Sequence, residues 1–177
     1  VEPATELLKR IRAERRKRWE ESELAKFKAK GAAPIDKKWM SRYREPEPVD
    51  DTSDLPALPD GWCWASVGEL SELQLGQQRA PIHAGAEKTY PYVRAANIKW
   101  DGLDLSDVKQ MGFPDVERYT LRPGDVLLSE ASGSATEVGK PAIWRGEIPG
   151  CCYQKTLLRA RPASESVLSE WLHQSFL

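Results

Sequence analysis

Gly124 to Glu130 reads GDVLLSE, a short apolar run, Val126-Leu127-Leu128, with the turn signal Arg122-Pro123-Gly124 in front of it. Ser132-Gly133-Ser134-Ala135-Thr136 follows, small and mostly polar. The pattern predicts a buried strand that delivers its C-terminal end into a loop. No bulky side chain comes before Glu137, so the loop leaves room for the backbone of a ligand. A core strand followed by an ordinary surface turn is the plain alternative.

Outward from this run, residues 61–162 have strand character. Trp62, Trp64, Val67 and Leu70 are expected to start the core, and Leu70 to Leu75 alternates as a strand does. Tyr90 to Ile98 (YPYVRAANI) reads as a second strand in which Arg94 and Asn97 stand out as polar. Val138 to Trp144 and Cys151 to Arg161 supply two more. Residues 164–177 predict a helix capped by Ser164 or Ser166, with Val167, Leu168, Trp171, Leu172 and Phe176 on its apolar face.

Residues 3–30 predict one long helix, with Pro3 in a tolerated first-turn place and Gly31 as the stop. At 1.5 Å per residue it would reach ~42 Å. Leu7, Leu8 and Ile11 begin an apolar stripe that Leu24 and Phe27 resume, while Arg15, Arg16, Lys17 and Arg18 interrupt it. This is no leucine zipper. It suits a helix packed at both ends, or half of an antiparallel pair. Its cations go all round the cylinder, which fits i,i+4 pairing with Glu6, Glu14, Glu20 and Glu21, or contact with an acidic partner or phosphates. Residues 35–60 form a proline-broken connector, extended and stiff, with a short helix around Trp39 and Tyr43.

Across 177 residues the formal net charge is -1, but it is unevenly placed. Residues 1–45 carry 14 Lys/Arg against 8 Asp/Glu, and residues 46–177 carry 12 against 19. A basic element before an acidic one hints at nucleic acid or an acidic partner. No apolar run has the ~18 residues a membrane span needs, and there is no signal-peptide pattern. The 3 cysteines (Cys63, Cys151 and Cys152) make no disulfide framework and no CxxC spacing, which favours the cytoplasm. The start at Val1 and the end inside a helical pattern predict an excised piece of a longer chain.

Catalytic patterns fail one by one. Gly133 to Lys140 is no phosphate loop: five residues separate Gly133 from Gly139, and Pro141 stands where a Ser/Thr would hold magnesium. Glu137 and Lys140 have ExxK rather than the ExK spacing of a nuclease set. His83 and His173 lack metal-ligand spacing, and no dinucleotide or GxSxG fingerprint is present. Neither a metal nor a cofactor is expected on this chain. What remains is a polar-looped β-rich platform. Gln77, Gln78, Arg79, Arg94 and Asn97 are side chains that can read base edges. Lys88, Ser132, Ser134, Thr136 and Lys140 suit a contact with DNA, the hydroxyls and Lys140 through phosphate. A solvated loop residue is the plain reading of each.

Several stretches, in order, resemble the specificity (S) subunit of type I restriction-modification systems. They are ELLKRIRAERRKRWE (6–20), KKWMSRYREPEPVDDTSDLPALPDGWCWASVGEL (37–70), YPYVRAANI (90–98), LRPGDVLLSE (121–130), VGKPAIW (138–144) and CCYQKTLLRARP (151–162). LPALPDGWCW is the most specific piece: in that family a Leu-Pro-x-Gly-Trp stretch opens a target recognition domain. The resemblance implies an α+β fold, with a long N-terminal helix (1–34) as half of an antiparallel helical spacer. A connector (35–60) leads to a target recognition domain (61–177) with a closing helix cut short. It implies a non-catalytic subunit that reads one half of a bipartite double-stranded DNA site. It further implies docking of methyltransferase subunits, which carry S-adenosylmethionine and methylate adenine N6, and, through the complex, of a restriction subunit. Arg12, Arg16, Trp19, Trp39 and Tyr43 are the expected partner anchors. Self-association through the N-terminal helix is a further expectation. The alternative is a protein-interaction scaffold without DNA specificity of its own.

Overall fold

The computed structural model describes residues 2–81, 86–130 and 133–177. The GDVLLSE run forms β6 (Val126–Ser129), and all four of its residues are buried. Its register explains why the run is apolar throughout. It lies between two antiparallel neighbours, β9 (Leu157–Pro162) and β7 (Pro141–Ile143), with Leu127 opposite Arg159 on one side and Ala142 on the other. Val126 packs with Ala160 and Leu172, whereas Leu127 packs with Val93, Trp144, Tyr153 and Leu157. A strand covered on both faces needs no polar alternation. The turn before it is type II: Asp125 N–H donates to the Arg122 carbonyl at 3.0 Å, and Gly124 takes φ 92° at the third position, after Pro123.

β1 (Ser71–Leu75) completes this four-stranded sheet in the order β1-β9-β6-β7. A second sheet has β2 (Tyr90–Val93) in the middle, antiparallel to β5 (Lys109–Met111) and parallel to β8 (Cys152–Tyr153). β3 (Ile98–Lys99) and β4 (Gly102–Leu103) make a hairpin. The short helix α3 (Val116–Tyr119) is capped by the Asp115 carboxylate, which accepts from Arg118 N–H at 3.2 Å. Glu72–Pro162 with Val167–Leu177 form one compact unit, and the chain up to Ser71 with Ala163–Ser166 forms another.

The first unit is built on α1 (Ala4–Ala29), continuous because nothing between Pro3 and Gly31 breaks it. It ends in a Schellman motif: Gly31, at φ 66°, donates to Lys28 O, and Ala32 N–H donates to Phe27 O at 3.0 Å. Leu8 and Ile11 bury the first part of the stripe. Farther along, Trp19 stacks on Trp39 with centroids 5.8 Å apart, and Phe27 meets Trp39 edge-on at 6.2 Å. Trp39 comes from a 3-10 turn, Lys38–Arg42. Between these ends, Arg12 donates from Nε to the buried Glu69 carboxylate at 2.8 Å. Arg15 donates to the carbonyls of Gly68 and Ser71. Glu69 belongs to α2 (Val67–Leu70), where it and Ser66 form a reciprocal capping box. The charged middle of the helix therefore holds a helix end. Its remaining surface carries ion pairs such as Arg16–Glu20.

Several expectations are corrected. Trp62, Trp64 and Val67 do not start a core: Trp62 is 64% exposed, and the other two also face solvent. Leu70 ends a helix, and the strand begins only at Ser71. YPYVRAANI breaks after Val93 into a 3-10 turn, Ala95–Asn97, because the Asn97 side-chain oxygen accepts from Arg94 N–H at 3.0 Å. The C-terminal helix α4 is shorter than expected, Ser169–Gln174, and neither Ser164 nor Ser166 caps it. Ser164 instead hydrogen-bonds Glu14 and accepts from Ser166 N–H. Leu168 and Trp171 are exposed, and Leu172 alone of that helix is buried.

Cys151 and Cys152 fill the core of the second unit. Burial pushes their thiols up, to about 12 and about 11. In native protein at pH 8, an alkylating reagent should label Cys63 and leave the pair untouched until denaturant is added. Intact-mass counting of adducts checks this; three adducts without denaturant would contradict it. The unfolded thiols ionise first, near pH 8.5, so these cysteines should stabilise the fold fully below that pH and progressively less above it.

Candidate nucleic-acid interface

One short turn, Gln154-Lys155-Thr156, joins three of the polar segments singled out above. Tyr153 O accepts from Gln77 N–H at 3.1 Å, and Lys155 N–H donates back to Gln77 O at 3.0 Å. Gln154 N–H donates to Val93 O at 2.9 Å, beside Arg94. The Thr156 hydroxyl accepts from Ala95 N–H at 3.1 Å, and its carbonyl accepts from Glu130 N–H at 2.9 Å, where β6 enters its loop. The start of the 77–79 segment, the 94–97 turn and the exit of β6 are thus held in fixed relation by main-chain bonds and the Thr156 hydroxyl. These directional bonds cannot be reorganised independently, which is what a recognition surface requires.

Gly76 is the point of closest approach. A Cβ there would lie 2.3 Å from Gln154 O, so only glycine lets the segment reach its bridge with Gln154. Beyond it, Gln78 and Arg79 are exposed. Gln77 is half-buried, and its side-chain amide donates to Gln78 O at 3.1 Å. Lys88 is exposed, with its ammonium 5.3 Å from the Tyr90 ring centroid.

The remaining candidates behave differently. Asn97 is 3% exposed, and its amide donates to the carbonyls of Asp104 and Asp107 at 2.8 and 3.3 Å. Every polar atom of that side chain is committed to shaping the turn, so it has nothing left for a base. Arg94 ion-pairs with Asp107 at 2.6 Å. The Asp107 carboxyl is held below its usual range, first by its hydrogen bond from Lys109 and then by Arg94. Lys140 is 4% exposed and paired with Glu137. The loop turns it inward because Gly139 N–H donates to Ser129 O and Ser129 N–H donates to Lys140 O, continuing the ladder past β6. Its ammonium is therefore turned into the fold, against the Glu137 carboxylate. Ser134 and Thr136 are exposed and share a 2.8 Å hydroxyl contact. Ser132 lies outside the described residues.

In the first unit, four of the five expected partner anchors contact one another. Trp39 is buried, Trp19 contacts both Trp39 and Tyr43, and Arg16 lies over the Tyr43 ring at 5.6 Å. Burial raises the Tyr43 hydroxyl above its usual range. Arg12 is tied to Glu69. These contacts favour internal packing for the cluster. No group of acids, histidines and cysteines with the makings of a metal site occurs among the described residues, and no helix among them is long and apolar enough to cross a membrane.

The turn at 154–156 was not among the expected site residues. Its signal is visible in hindsight: Gln-Lys-Thr interrupts an otherwise apolar run from Cys151 to Leu158, which one strand would not do.

No family model and no curated protein sequence matches this chain. Solved structures do. At 24% identity and a TM-score of 0.52, 69% of the chain aligns with 28% of the HsdS subunit from Thermoanaerobacter tengcongensis. At 20% identity and a TM-score of 0.50, 98% of it aligns with 37% of a chain in a structure of the type I R-M system, described for its complex assembly and conformational transition. The chain thus spans 28% and 37% of the lengths of these two neighbours. What it shares with them is the fold: an HsdS-like α+β arrangement of a long N-terminal helix, a strand-rich region and a C-terminal helix.

Proposed function

We propose that this chain is a DNA sequence-recognition module of a type I restriction-modification assembly, reading one half of a bipartite site. The observation that carries the reading is the convergence on the 154–156 turn. Main-chain bonds to Gln77 and Glu130 and the Thr156 hydroxyl's bond to Ala95 fix these residues around one point, and exposed Gln78 and Arg79 follow Gln77. Both side chains suit bidentate reading of a base edge in the major groove. The acidic balance of residues 46–177 opposes non-specific DNA binding, so contacts must be placed rather than numerous. The module is non-catalytic in this reading. Methyltransferase subunits, with S-adenosylmethionine bound to them, and a restriction subunit would supply the chemistry.

Selection from a randomised duplex pool, at low and near-physiological salt, tests this. A single enriched motif of roughly 3–5 base pairs that survives the higher salt is the expected result. Arg79→Ala and Gln78→Ala should each relax one position of it, at a cost of about 1–3 kcal/mol. No enrichment at either salt, even with methyltransferase subunits added, would leave the scaffold reading. That reading has one observation of its own, the exposed Leu168 and Trp171 at α4.

A further inference from the structure

We infer that Lys155 is a phosphate-contacting residue that sets the register of DNA on this surface; the inference rests on the DNA-recognition reading above. Two independent observations carry it. The first is position. Lys155 is the middle residue of the turn on which the three polar segments converge, and its own N–H is hydrogen-bonded to Gln77 O. Its Cα is thus fixed relative to Gln77, the residue from which Gln78 and Arg79 continue. A parallel bridge joins Gln77 to Gln154. Bridged chains run about 4.8 Å apart, which places the root of Lys155 within one side-chain length of the 77–79 segment.

The second is charge. Five cations of this unit are committed to carboxylates: Arg94 and Lys109 to Asp107, Lys140 to Glu137, Arg145 to Glu170 and Arg161 to Asp125. Lys155 is exposed and has no carboxylate within ion-pair distance among the described residues, although the domain around it is acidic. The same holds for Arg79, on the other side of the same bridge. A free ammonium is costly to leave unpaired only where it is desolvated, and here it is solvated. It therefore stands ready for an anion at no cost in internal contacts. Lysine binds phosphate as a point charge, whereas the planar guanidinium of Arg79 is the better reader of a base edge. The geometry divides the labour accordingly: Lys155 positions and Arg79 specifies.

The test is a salt titration of full-chain binding to two duplexes, the one enriched by selection and a shuffled one. Lys155→Ala should weaken both complexes equally, by roughly tenfold, and lower the slope of log K against log salt by about 0.9. Lys155→Arg should restore both quantities. Lys38→Ala, an exposed lysine of the first unit, serves as the control for a generic change in net charge and should leave the slope alone. An unchanged slope in Lys155→Ala, with wild-type binding intact, overturns the assignment and leaves the DNA reading standing. A loss confined to the enriched duplex also overturns it, because it would make Lys155 a base contact. No salt-dependent binding of either duplex by the wild type overturns the DNA reading itself, and this inference with it.

Discussion

Asp125→Ala is expected to destabilise the chain by about 3–5 kcal/mol in chemical denaturation. The Asp125 carboxylate is 1% exposed and meets Arg161 through two parallel bonds, Nε to Oδ1 at 2.7 Å and Nη2 to Oδ2 at 2.8 Å. It also accepts from Arg122 N–H at 2.8 Å, which closes the type II turn leading into β6. Removing it leaves a largely buried guanidinium without its counter-charge and frees the turn that starts the central strand. The penalty comes from the orphaned partner more than from the lost attraction. The double substitution Asp125→Leu with Arg161→Met should therefore recover much of the loss. A cost under ~1 kcal/mol for the single change would place this pair in solvent rather than in the core.

The parts of this fold that were legible in sequence are those where one physical requirement dominates. GDVLLSE is apolar at consecutive positions because β6 is covered on both faces. The first helix is legible because Gly31 alone can take the left-handed turn that ends it. Where two requirements compete, sequence misleads. Trp62 and Trp64 are apolar enough for a core, yet the segment before Ser66 has no strand partner among the described residues, and both face solvent. Lys140 looks like a loop cation. Whether a loop cation points outward depends on the ladder bonds between Ser129, Gly139 and Lys140, which are long-range facts. Asn97 is polar in an apolar stretch for a local reason, since it folds back on Arg94. Its polarity therefore marks a turn. Gln77, Gln78 and Arg79 are legible as candidates only through loop position and side-chain chemistry. The anchorage of Gln77 to Tyr153 and Lys155 joins positions more than 75 residues apart, beyond the reach of any local pattern.

Gly76→Ala should damage the second unit severely. Its Cβ would lie 2.3 Å from Gln154 O, 2.4 Å from Gln154 C and 2.6 Å from Tyr153 O. All three are backbone atoms, so no rotamer change relieves the overlap. The strands must part, which strains or breaks the bonds from Gly76 N–H to Leu157 O and from Gln77 N–H to Tyr153 O. A loss of about 3 kcal/mol or more is expected in chemical denaturation. Gly133→Ala is the matched control: its Cβ would meet nothing within 4 Å, and it should stay within about 0.5 kcal/mol of wild type. Equal stability of the two variants would mean that the 76–77 segment does not approach the 154 turn. Should Gly76→Ala still fold at low temperature, it separates structure from recognition further. Every candidate DNA contact remains in the chain, but Gln78 and Arg79 are no longer registered against Lys155. Affinity for the selected duplex should then fall further than in Arg79→Ala alone, because the variant removes the alignment of the contacts and leaves the contacts themselves in place.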